Sequence, residues 1–445
     1  MTQLADNLTQ NDSMNDAPAW LADLRTQSAA VFERVGLPKG KEESWRFTQI
    51  QPITRTAFAA AEQADGSELF NHYTFGDEAG VEIVFVNGFY SPELSRIDEL
   101  PRGLTVSTLL EADSRGHGDL VKQYLGSIAA VETHPFAALN SSQLRDGIFL
   151  HVKRSATIER PIHLLFISIG DSKPIASHPR VLVVADENSE ATFVESYVGS
   201  GSHYLCNAVS EFIVADGARI DHCKLQQEST DAYHIANMQV RIGKQTQFVS
   251  QAINIGARIS RNDLSVKLAG QGGYATLNGL VLIGGQQHCD NHTLLDHAAP
   301  DCPSHELYKH VLADKASAVF KGQIHVHQIA QKTNAKQSSK TLLLSDTASM
   351  NSMPALEIYA DDVKCTHGST TGPIDEDLVF YLRSRGVGIE AARHLLTYAF
   401  AADITRRIKV VPVRRRVEDL MAVQHGLPQD LRINDLGAFD DSLNA

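Results

Sequence analysis

Between Gly147 and about Lys364 the chain offers more than two hundred residues of short strand-like runs and no convincing helix. IFLHVKRS, PIHLLFISIG, HPRVLVVADENSEATFVESYVG, SEFIVADGARIDHCKLQQES and NMQVRIGKQTQFVSQAINIG are rich in β-branched residues and broken by Gly, Asp and Asn. Without crossover helices, a doubly wound sheet is excluded. A loose repeat adds a second constraint. VVADENSEATF, IVADGARIDHC and VLADKASAVF, with LAGQGGYATL more distantly, each place Ala-Asp or its equivalent before a tight turn and a new strand. Irregularly spaced repeats of this kind fit strands coiling as a solenoid, or β-helix, whose stacked coils bury a continuous interior. A β-sandwich also accounts for short strands.

Helix flanks this core. PAWLADLRTQSAAVFERVG spaces Trp20, Leu21, Leu24, Val31, Phe32 and Val35 for one helical face, and Gly36 and Pro38 end it. VEIVFVNGFYS predicts a hairpin turned at Asn87-Gly88, and DLVKQYLGSIAAV a loose helix. After residue 374, Asp375 can cap DEDLVFYLRSRG. IEAARHLLTYAFAADITRRIKVV is apolar on nearly every side, so its own neighbours or a second chain must enclose it. RRIKVVPVRRR is either a solvated helix end or a docking surface. The predicted organisation is a disordered leader at 1–17, a helical and mixed domain at 18–146, a β-helix core at 147–365 and a helical domain at 366–445.

Composition narrows function. The 445 residues carry a net charge of −13, which argues against nucleic acid as the principal partner. Five cysteines are too few and odd in number for a disulfide framework and predict reduced thiols. The N-terminus lacks the basic and apolar regions of a secretory signal, and no uncharged apolar run reaches membrane-spanning length. A soluble, cytoplasmic protein is expected.

Two regions could carry metal chemistry. Segment 288–327 holds His288, Cys289, His292, His297, Cys302, His305, His310, His325 and His327. Its two Cys-x-x-His pairs mimic zinc spacing, which opens the alternative of a β-helix metalloprotein or metalloenzyme. His325 and His327 would share one strand face, free to chelate an ion or simply to line the wet outside of a coil. The second region is KCTHGSTTG. If LEIYADDVKCTHG is one strand, Cys365 and His367 lie on one face, with Cα atoms roughly 6.6 Å apart. Two ligands cannot hold a resident iron–sulfur cluster, which generally takes four. They could contribute to a site shared with a second chain. No Gly-x-Ser-x-Gly, His-Glu-x-x-His or phosphate-binding Gly-Lys-Ser/Thr motif is present, so nucleotide hydrolysis would need another polypeptide.

FAALNSSQLRDGIFLHV, VFKGQIHVHQIAQKTNAKQSSKTLLLS and above all LEIYADDVKCTHGSTTGPIDEDLVFYLRSRG resemble the SufB/SufD family of iron–sulfur cluster assembly scaffolds. The similarity runs in order from about Pro38 to Ala402. KEESWRFT and the Gly after His367 resemble the SufD type, and the N-terminal cysteine-rich motif often seen in SufB is missing. The resemblance implies a right-handed parallel β-helix flanked by helical domains, and a non-enzymatic scaffold. It also implies pairing with SufB through the core, docking of the SufC ATPase on the C-terminal helices, and a possible homodimer in isolation. His367, with Cys365 beside it, would hold transient iron or a nascent iron–sulfur cluster at the SufB interface. No cofactor bound tightly to the isolated chain is expected.

Overall fold

A computed structural model describes residues 18–424, apart from 41, 130, 171 and 172. The expected leader and residues 425–445 of the expected C-terminal domain lie outside the described residues.

The strand-rich centre coils into a β-solenoid with two faces, a 12-stranded sheet and a 10-stranded sheet. Successive strands alternate between the faces, and each pairs in parallel with the strand one coil earlier. Leu205–Val214 lies on Tyr233–Ile242, then Ile259–Leu268, His288–His297 and Ser317–Val326. No helix crosses between them, which is why the runs read as uninterrupted strand. The Ala-Asp repeats are the corners. Each lies beside a residue in the left-handed region, Asn188, Gly217 or Asp314, with φ of 57°, 73° and 52°. That conformation suits Gly, Asn and Asp because their own geometry tolerates it.

Alternation then builds the interior. Phe193, Phe212, Phe248, Phe320, Ile220, Leu277 and Ile324 point into the lumen, all buried. Phe212 meets Phe193 edge-on at 5.6 Å and Phe248 at 6.2 Å, so aromatic contacts link neighbouring coils. Each such ring contributes about 1.5–3 kcal/mol from burial alone. The lumen is also polar in places. Glu195, His222, Lys224, Glu228 and His234 are all buried there.

The outer faces are covered where the sequence turns helical. The predicted first helix spans Ala19–Val35 and ends at Gly36, φ 68°. Phe32 joins Trp45, Phe58 and Phe136 against Leu205, Tyr233 and Ile235 of the 12-stranded face. The Asn87-Gly88 hairpin forms as predicted, pairing Val86 with Phe89 through two left-handed residues. The loose helix is short, Gly118–Tyr124.

At the other end, Asp375 caps the helix Glu376–Ser384 by accepting from the Asp377 amide at 2.9 Å. Helix Ile389–Thr405 and helix Val411–Gln424 lie on the 10-stranded face. There Ala401, Ile404, Val413, Val417 and Met421 pack on Leu225, Ile253, Leu280 and Val311. The chain's own sheet thus covers much of the apolar helix. The basic run is a strap: Lys409 Nζ sits 2.9 Å from Asp221, Arg415 2.9 Å from Glu78, and Arg416 3.1 Å from Gln227. These three side chains are engaged within the chain, and those of Lys409 and Arg415 remain more than half exposed.

Candidate functional site

The solenoid ends at the strand Lys364–Pro373, the last of the 10-stranded face. It continues past residue 365, and helix resumes only at Glu376. One expectation needs correcting here. LEIYADDVKCTHG is not one strand: Ala355–Ile358 belongs to the 12-stranded face and Lys364–Pro373 to the other. Between them Tyr359-Ala360-Asp361 is another Ala-Asp corner, with Ala360 buried and the Asp362 carbonyl accepting from the Lys332 amide at 2.7 Å. Glu357 and Tyr359 therefore flank neither Cys365 nor His367. The signal that could have revealed this was in the sequence, since the same Ala-Asp pair marks earlier corners.

Cys365 and His367 do share a face. Cys365 stands in register with Ala335 and His367 with Gln337, both buried in the preceding coil. The pair thus continues the inward-facing column, and among the described residues no further coil lies above it. Cys365 is half-buried against the lumen core, and that burial raises its thiol pKa. His367 is exposed, and no side-chain hydrogen bond engages it among the described residues. Ser369 Oγ donates to Ser352 Oγ at 2.9 Å and ties the two faces at this mouth. Beneath His367, Gln337 Nε2 donates at 2.7 Å to Glu306, whose carboxyl burial pushes up to about 7. Sequence reasoning missed both. Their register under residue 367 is visible only in three dimensions.

The strand between Cys365 and Pro373 carries no charged residue other than the ionisable His367, and among the described residues it has no neighbour on its outer edge. Native proteins usually blunt such an edge with charge, bulges or a covering segment. This one is open for pairing.

The four other thiols lie inside the fold. Cys206, Cys223, Cys289 and Cys302 are buried, and burial pushes Cys223 and Cys289 up to about 12. The two Cys-x-x-His pairs do not form a zinc site. Cys289 contacts Asn291 at 3.4 Å and Cys302 the Gly270 carbonyl at 3.4 Å. His292 bridges Asp290 and Arg261, and His310 is sealed in the interior, its pKa lowered to about 4 by burial. Two histidines of this segment, His297 and His310, are fully buried.

Among the described residues, two groups of three potential ligands converge: Cys206–Glu228–His234, and Asp296–His325–His327. The first is already neutralised, because the Lys224 ammonium lies 2.8 Å from His234 and Glu228 2.8 Å from its other nitrogen. Lys224, its pKa lowered by burial to about 8, remains a cation at neutral pH and repels another.

Fold and site define a β-solenoid protein that presents a thiol and an imidazole on a terminal strand with one open edge among the described residues. Comparison with known proteins agrees. Residues 167–400 match the SufBD core domain of SUF-system iron–sulfur cluster assembly, and residues 3–164 match the SufBD N-terminal region. An iron–sulfur cluster assembly SufBD family protein of Synechocystis is 33% identical, over 90% of each chain. The iron–sulfur cluster assembly protein SufD of Escherichia coli is 30% identical, over 86% of this chain and 88% of its own. SufD of Bacillus subtilis is 28% identical, over 90% and 93%. The chain belongs to the SufBD family of the SUF iron–sulfur cluster assembly system. No helix among the described residues is long and apolar enough to cross a membrane.

Proposed function

We propose that this chain is a SufD-type, non-catalytic scaffold subunit acting in the cytoplasm, which assembles iron–sulfur clusters together with SufB and the SufC ATPase. The open terminal strand bearing Cys365 and His367 carries this reading. Its outer edge can accept a strand of a partner chain, and pairing there would bring the partner's ligands over the inward column. The cluster or iron is cargo. Imidazole is a common protein ligand for iron, and thiolate is the usual ligand of iron–sulfur clusters. Two donors are too few to retain a cluster, so SufB would supply the rest and the finished cluster could leave.

The C-terminal helices supply the second surface. Leu378, Phe380 and Tyr381 lie on the helix Glu376–Ser384, and Phe380 is 72% exposed. Exposed apolar side chains of this kind favour a partner protein, and SufC is the partner proposed. Its nucleotide-driven motion would pass through these helices to the seam.

The test is co-expression with SufB and SufC, followed by anaerobic spectroscopy of the purified assembly. His367→Ala should leave folding and complex formation intact while cluster yield falls. A normal yield from that complex removes His367 from the mechanism.

A further inference from the structure

Away from the terminal strand, on the outer side of the 12-stranded face, a second cluster of ligand-type side chains is held by the β-ladder. Lys267, Asp296, His325 and Glu357 stand in register on four adjacent strands, one rung per coil. His327 follows His325 on the same outward side, while Ile324 and Val326 fill the lumen between them. The His327 amide donates to the His297 carbonyl at 3.0 Å, so its backbone is anchored in the coil. The two imidazoles are edge to face, centroids 4.6 Å apart. One ligand atom each from Asp296, His325 and His327 lies within 4.8 Å of the others.

The carboxylates do more than add charge. Asp296 Oδ1 lies 2.7 Å from His327 Nε2, and Glu357 Oε2 2.9 Å from His325 Nδ1. Glu357 is itself held by Gln323 Nε2 at 3.0 Å. Glu357 engages His325 at Nδ1 and leaves its Nε2 free for an ion, whereas Asp296 Oδ1 and His327 Nε2, 2.7 Å apart, are placed for one cation to replace the proton between them. A carboxylate orients a metal-ligating histidine as Glu357 does His325.

We propose that His325, His327 and Asp296 form a binding site for one divalent first-row transition ion, with Glu357 positioning His325. Two imidazoles and one carboxylate suit Fe2+, Co2+ or Zn2+ and are too nitrogen-rich for Ca2+ or Mg2+. The half-exposed Lys267, 3.8 Å from Asp296, can swing into solvent when a cation enters. The ligands lie on a different face from Cys365 and His367, so the inference goes beyond the shared seam and does not rest on it.

Anaerobic titration of the full chain with Co2+ tests it, read by visible absorption. One equivalent should bind with d–d bands and without the thiolate-to-cobalt charge-transfer band that Cys365 would add. His327→Gln keeps a hydrogen-bonding group beside Asp296 but loses the imidazole, and His325→Ala removes the second. Each should weaken Co2+ by about tenfold or more, the range seen when a metal site is disturbed. The double variant Cys365→Ala/His367→Ala should bind as the parent does. Melting temperatures of the outward-facing variants show that they remain folded. Absence of saturable binding overturns the proposal. So does binding unchanged in His327→Gln, or binding abolished in Cys365→Ala/His367→Ala.

Discussion

Glu306 shows how much one side chain can depend on depth. Its carboxyl is buried beneath the mouth of the solenoid, satisfied on one oxygen by Gln337, and desolvation raises its pKa from 4.5 to about 7. The folded state therefore binds this proton more tightly than the unfolded chain. The stability associated with the neutral carboxyl is fully present below about pH 4.5. It drains away as pH rises through about 7. At roughly 1.4 kcal/mol per unit, the loss is on the order of 3 kcal/mol. Glu306→Gln keeps an acceptor for Gln337 and removes the titration. Urea midpoints should then be higher than the parent's at pH 8 and nearly equal at pH 5. An unchanged fall between those pH values would show that another group is responsible. Spacing alone proposed Cys289 and Cys302 as ligands, and the fold brings neither of them into a group of three converging ligand atoms.

At the scale of elements, the terminal strand differs from the strands inside the stack. From Glu190–Ser200 to Asn334–Leu343, each strand of the 10-stranded face is paired on both edges. Lys364–Pro373 keeps the register and loses the cover, which leaves Cys365 and His367 together at the surface. Placing a charge at this mouth is a standard way to block edge pairing. Ser369→Lys should therefore leave the isolated chain folded, because residue 369 is exposed and gives up only the Ser352 contact. Co-elution with SufB in gel filtration should be lost or strongly weakened. Wild-type co-elution would mean that the partner docks elsewhere. Helices and corners were largely legible in the sequence, because caps and turns are local: Asp375, Gly36, Asn87-Gly88 and the Ala-Asp pairs all act within a few residues. The break at Tyr359–Val363 was misread because strand character continues on both sides of it, and a corner that changes sheets does not interrupt a run of β-type residues.

Across the whole molecule, the solenoid is a stack whose lumen is self-contained, with helices fastened to its outer faces. Val413 joins the two layers on the 10-stranded side, fully buried against apolar strand residues. Val413→Asp would bury an unpaired charge, at several kcal/mol, unless the helix lifts away. Hydrogen exchange should accelerate across 389–424 while strands such as Ile259–Leu268 remain protected. Equal acceleration in both would mean that helices and solenoid unfold as one unit.

The sequence by itself determined the coil, its corners, the flanking helices and the resemblance to iron–sulfur assembly scaffolds, because all of these are written in short-range pattern. Only the tertiary structure decided which groups meet. Residues 29 to 32 apart become neighbours when one coil stacks on the next, as Asp296, His325 and Glu357 do. The strand at the end of the 10-stranded face has no successor within the described residues, so Cys365 and His367 lie nearer the surface than Ala335 and Gln337 beneath them.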